Sequence, residues 1–394
     1  MDPARSILAV RLRSIGDVVL LTPALQALKR HWPKARLSLL VERPIDEIVS
    51  GLWFVDEVIA VRSAGLGALY QRMSLPLGRR GQFELALDFH GGTTAAWLVW
   101  ASGARGTVVR TVDGGANWTA MVVPGADSLE FRDIHALSAD LAWAMTAGLG
   151  PASRIYRTTD GGTTWVLQWT NQEPRAFFDC LSFWDERRGI AISDAVDGVF
   201  VLMMTDDGET WRRVPTGSSP PAREGEGLFA ASGTCLVTRG TNQAWFGAGV
   251  NAGRVGRTTD GGRSWSLVNT PILQSTGTAG LTSLVFFDDR IGLGVGGDVA
   301  APDSLRDRVV MTEDGGATWR LGGDLPFGGA AFGAAMVGGR TAVAVGPKGS
   351  AWTSDGGKSW AALDTRDHWS VGFSGNSGWM VGPRGRITKV EFAK

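Results

Sequence analysis

One short phrase returns six times along this chain and limits what the chain can fold into. It reads RTTDGGTTW around Asp160, RTTDGGRSW around Asp260 and TEDGGATW around Asp314. Three more copies start at Asp113, Asp206 and Asp355. The copies close on Trp118, Trp165, Trp211, Trp265, Trp319 and Trp360. The shared pattern is Asp-x-Gly-x-Ser/Thr-Trp, with Asn117 in place of the hydroxyl residue in the first copy. Successive aspartates are 41 to 54 residues apart. A period of that size, punctuated by turn residues, belongs to a propeller or a solenoid, in which each unit buries its apolar face only against its neighbours.

Each copy follows a short apolar or β-branched run, such as Thr107–Arg110 or Arg308–Met311, and precedes another. That context makes the Asp-Gly-Gly core a hairpin turn. Glycine supplies positive φ, the carboxylate accepts N–H groups of its own turn, and the Trp opens the next strand with a large face for packing. The pattern resembles the Asp-box, or BNR, hairpin of β-propellers. The resemblance implies that Asp113, Asp160, Asp206, Asp260, Asp314 and Asp355, each with its Trp, are structural residues of the outer rim.

Before each hairpin after the first lie an apolar opening strand and a strand rich in Gly and Ala. The openers are Ile134–Leu137, Cys180–Trp184, Leu228–Ala231, Leu281–Phe287, Ala331–Val337 and Trp369–Phe373. Four short strands per unit is propeller geometry. The expected fold is mainly β, a six- to seven-bladed β-propeller over residues 104–394. Its first unit lacks an opener and its last, Trp369–Phe392, lacks the aspartate turn. FRDIHAL, GIAISDAVDG, GEGLFAASGT and GPRGRITKV, with the TTDGG-TW repeat, resemble the photosystem II assembly and stability factor family. They are also similar to uncharacterised bacterial propellers of the sialidase superfamily, sometimes labelled oxidoreductases. No dinucleotide fingerprint, haem motif or metal cluster supports that last label, and no cofactor and no metal are expected.

Residues 1–103 do not share the repeat. Ile7–Leu12, Arg36–Val41, Val55–Val61 and Phe83–Phe89 read as strands, with helical spacing over Asp17–Trp32 and Ile45–Gly51. Alternation of this kind predicts a parallel α/β sheet. ILAVRLRSIGDVVLLTPALQALKRHWP and LALDFHGG resemble the N-terminal half of glycosyltransferase family 9, the heptosyltransferases of lipopolysaccharide core synthesis. The resemblance implies a truncated α/β Rossmann-like segment of glycosyltransferase B type, with Asp17 as catalytic base beside Arg11, Arg13 and Ser14. From the residues alone, Asp17 equally fits the cap of the following helix. The resemblance covers roughly residues 5–104, and no later stretch matches the donor-binding half. The join within Trp97–Arg105 has no linker and reads equally as a transferase helix end or a propeller strand, which suggests a chimera.

The formal net charge is zero, so no electrostatic footprint for nucleic acid appears. No apolar run is long enough to span a bilayer, and no signal-peptide core is present, so a cytoplasmic location is expected. Cys180 and Cys235 form either a disulfide or two buried thiols. The residues just before each opening strand should ring one mouth of the central channel: Arg132, Asp133, Asp179, Glu224, Glu226, Thr278 and His368. They are candidate contacts for a protein or glycan ligand. Three functions follow. The first is a non-enzymatic propeller that binds a protein or ligand. The second is a heptosyltransferase-type enzyme using Asp17. The third is a glycosidase of the sialidase superfamily using Asp179 and Glu226 as a carboxylate pair. A sialidase site would need a Tyr nucleophile, and Tyr156, the sole tyrosine of residues 104–394, stands beside an aspartate hairpin.

Overall fold

The computed structural model describes residues 6–10, 25–43, 45–61, 85–88, 99–103, 105–274 and 277–392. The chain divides into two compact units, Met1–Ala95 and Ala96–Lys394. Asp17, Arg11, Arg13 and Ser14 lie outside the described residues.

In the first unit, strands Ser6–Val10, Arg36–Glu42, Glu57–Val61 and Leu85–Asp88 form one sheet, and every described pair in it is parallel. Residues 25–31 and Ile45–Val49 are helical. Leu37, Leu39 and Val41 alternate onto one face and bury with Ala9, Leu25, Val49 and Phe54. Lys29 Nζ reaches Asp56 at 2.6 Å, and Asp56 also accepts the Leu37 amide.

The second unit is a β-propeller, with seven antiparallel sheets among the described residues. Blade 1 has three strands, Val99–Ser102, Thr107–Thr111 and Thr119–Val122. Val99–Ser102 pairs with Thr107–Thr111, so the ambiguous WASGA stretch contributes its first residues to a propeller strand. Blades 2 to 6 have four strands each. Blade 7, Ser370–Ser374, Ser377–Gly382 and Arg386–Glu391, again has three.

The cores lie between blades. Val108 and Val123 pack on Phe131 and Tyr156 between blades 1 and 2. Trp143 and Ile155 pack on Phe178 and Phe183 between blades 2 and 3. Equivalent clusters fill each following junction up to blades 6 and 7, where Val343 and Val345 meet Val371 and Met380. Tyr156 is therefore a core residue, edge-to-face with Phe131 at 5.6 Å. One position of the second strand recurs as a clamp on the next blade. Trp143 stacks on Phe183 at 3.8 Å and donates to Gly208 O; Trp245 stacks on Phe286 at 3.8 Å and donates to Gly315 O. In the same register, Trp379 of blade 7 lies against Gly115 of blade 1. A Cβ added at Gly115 would stand 2.6 Å from the indole nitrogen, so glycine makes this closure possible.

The opening strands fall near their expected places, with one exception. Leu228–Ala231 is not a strand: the inner strand of blade 4 is Leu236–Arg239. The expected opener instead leaves the wall. Its apolar run is that of a buried strand, but its Leu228 N–H finds a carboxylate rather than a neighbouring backbone.

Candidate functional site: the strap across the channel

The repeated turn is a closed hydrogen-bond unit. In all six copies a threonine two residues before the aspartate donates its hydroxyl to a carboxylate oxygen at 2.7 to 3.0 Å. The same hydroxyl accepts a glycine N–H at 2.8 to 3.0 Å. In five copies the residue before the Trp closes on the second carboxylate oxygen, through Asn117, Thr164, Ser264, Thr318 or Ser359. Burial disfavours the charge on Asp260, Asp314 and Asp355, but these bonds outweigh it and hold each carboxyl at about 2. The third copy corrects the expectation for Asp206. Asp207, not Asp206, accepts Thr205 and the amides of Glu209 and Thr210. This copy is one residue shorter, so the threonine sets the register and the Trp does not. Arg157, in the strand leading to the second turn, pairs with Glu209 of the third at 2.6 Å.

Three of the expected mouth residues, Arg132, Asp133 and Asp179, meet a strap formed by Leu228–Gly233, whereas Thr278 and His368 do not. The strap's Leu228 N–H donates to Asp194 Oδ1 at 2.8 Å, and its Ala230 N–H faces the Asp179 carboxyl, whose Oδ2 is buried without a hydrogen-bond partner among the described residues. Arg132 of blade 2 donates to Ala230 O at 3.2 Å and pairs with Glu130. Asp133 accepts Leu181 N–H at 2.6 Å and lies so close to Gly233 that a Cβ there would stand 2.4 Å from its Oδ1. Ser370 of blade 7 donates to Ser232 O at 3.1 Å, and Ser232 also packs against Gly333 of blade 6. Thr234 bonds Ser283 of blade 5 at 2.6 Å. A segment rooted in blade 4 that touches blades 2, 3, 5, 6 and 7 has to cross the axis of the ring.

Asp133, Asp179 and Glu226 are buried. Asp179 and Glu226 have different partners. Glu226 is gripped by Arg254 through Nε at 2.7 Å and through Nη2, and it accepts Arg223 N–H at 2.7 Å. Asp179 sits with Asp194, a residue the sequence reading did not single out. Burial first, and then the Asp194 charge, push Asp179 well above the usual carboxylate range. Burial also raises Asp133 and Asp194. Glu224 is exposed, and Thr278 donates to Asp298 at 2.7 Å. His368 is buried 3.5 Å from Asp364, and burial lowers its pKa. Next to it Trp369 is 47 % exposed, and its carbonyl lies beside Gly333, which the strap also meets.

Cys180 and Cys235 form a disulfide that joins blade 3 to the end of the strap segment. Among the described residues, no group of three His, Cys, Asp or Glu could hold a metal ion. No helix among them is long and apolar enough to cross a membrane.

The seven radial sheets and their inter-blade cores define a β-propeller. No protein-family model matches the chain, and no curated protein does. Among solved structures it is similar to YCF48 bound to D1 peptide, at 14% identity, covering 77% of this chain and 96% of that one with a TM-score of 0.52. It is similar to YCF48 from Cyanidioschyzon merolae at 15% identity, covering 76% and 94% with a TM-score of 0.52. A glycosyl transferase family 9 structure from Veillonella parvula shares 20% identity over 23% of this chain and 28% of its own, with a TM-score of 0.21. The likeness to YCF48 is one of fold.

Proposed function

We propose that this chain is a non-catalytic binding propeller of the Asp-box type that takes a protein segment at the strap-bearing mouth of the ring. The observation that carries this reading is Trp369, an indole about half exposed at the mouth beside the strap, where the surrounding backbone is fixed by hydrogen bonds. Large aromatic side chains on a rigid frame are the usual anchors of protein contacts. The fold neighbour whose name records a bound peptide supports the same reading. Glu226 is committed to Arg254 and Asp179 lies under the strap, so neither carboxyl is presented to a glycan. Residues 1–95 are read as a partial glycosyltransferase-type segment joined to the propeller, eight residues shorter than expected because Val99–Ser102 belongs to blade 1.

Selection from a phage library of random peptides on the immobilised full chain tests the proposal. The wild type should enrich a consensus, and Trp369→Ala should lose that enrichment at least about tenfold, as for a central aromatic anchor. Enrichment that survives Trp369→Ala but is lost on Leu167→Ala, at the outer rim, would overturn it.

A further inference from the structure

We propose that the strap Leu228–Gly233 is a pH-controlled plug of the axial channel, closed while the carboxyl set Asp133, Asp179 and Asp194 retains protons and released as that set ionises. The latch is geometric. The Leu228 amide of the strap ends on Asp194, and the Ala230 amide faces Asp179. Asp133 closes the far end against Gly233, whose φ of 73° and lack of a side chain allow the approach. Asp133 and Asp179 are 6% and 1% exposed.

Every charged group packed on the strap can be placed. Blade 2 contributes Asp133, and Arg132 paired with Glu130. Blade 3 contributes Asp179 and Asp194. The approach to the strap carries Arg223, exposed Glu224 and Glu226, the last neutralised by Arg254 of blade 4. Blades 5, 6 and 7 meet it through Ser283 (by way of Thr234), Gly333 and Ser370. Farther round the ring, Asp298 accepts Thr278, and His368 stands 3.5 Å from Asp364 at the end of blade 6. No cation therefore reaches the Asp179–Asp194 pair among these contacts.

Two neighbouring carboxylates out of water repel, and each loses its hydration. The strap amides favour the charged forms, but they do not offset burial, which leaves all three groups raised. The sign follows. A carboxyl raised in the closed state holds its proton there after the open, hydrated state has released it. Closure is therefore strongest below the ordinary carboxylate range and weakens as pH rises through the raised values. For one linked proton the weakening is up to about tenfold per pH unit.

Amide hydrogen exchange on the full chain, from pH 5 to 8 and corrected for the intrinsic exchange rate, reads the strap directly. Protection over residues 225–235 should fall with pH while Phe178–Phe183 of the neighbouring wall stays protected. Asp179→Asn keeps the shape but cannot ionise, and should flatten the slope; Asp194→Asn is the second variant should the first not fold. Strap protection that does not change with pH in the wild type, or a folded Asp179→Asn with the wild-type slope, overturns the proposal. Should neither variant fold, the wild-type slope alone decides.

Discussion

At the scale of single residues, the threonine of the repeated turn is as much a part of the motif as the aspartate. Thr205 is buried, its hydroxyl donates to Asp207, and it accepts Gly208 N–H. Thr205→Val would leave a buried N–H without an acceptor and should cost about 1–3 kcal/mol in chemical denaturation. Asp207→Ala should lower the thermal midpoint, whereas Asp206→Ala should leave it unchanged; the reverse order would restore the register read from the Trp. The sequence did carry this signal, because a threonine stands two places before the working aspartate in every copy. Counting back from the Trp hid it in the one shortened copy. Asp194 was harder to see. It sits inside a second strand, and the pairing of that strand with Phe178–Phe183 brings it beside Asp179. A pair made by two strands of one blade has no local spacing to give it away.

At the scale of elements, hairpins and opening strands were legible because period-two apolar runs between turn residues leave little choice. The strap was not. Leu228-Phe229-Ala230-Ala231 has the composition of an inner strand, and whether such a run joins the wall or leaves it depends on acceptors supplied by other blades. Backbone N–H groups need partners wherever they are buried, and here the Asp194 carboxyl provides one. The disulfide anchors the far end of this element. It closes a loop with a sequence separation of 55, for which loop-closure entropy gives about 4 kcal/mol. Reduction, or the Cys180→Ala/Cys235→Ala pair, should therefore lower unfolding free energy by about 2–4 kcal/mol. It should also raise exchange in the strap before it affects blades 5 and 6. An unchanged denaturation midpoint after reduction would remove the bridge from the account.

At the scale of the whole molecule, six junctions between successive blades hold buried apolar clusters. The seventh, from blade 7 back to blade 1, rests among the described residues on Trp379 against Gly115. Trp379→Ala should cost about 3–5 kcal/mol, the usual range for removing a buried Trp. It should open blades 1 and 7 to protease first; uniform cleavage around the ring would contradict this. Among the described residues no sheet mixes strands from both ends of the propeller, so blade 1 is cut from Val99–Val122 alone and blade 7 from Ser370–Glu391 alone. The ring therefore behaves as a split washer. Its perimeter is continuous covalent chain everywhere but at one slit, and the slit is shut by the N–H edge of an indole seated on a glycine. Tension applied between Val99 and Phe392 would load that seat before any strand is peeled away. The first rupture would be a small, reversible gape, with the remaining junctions still intact.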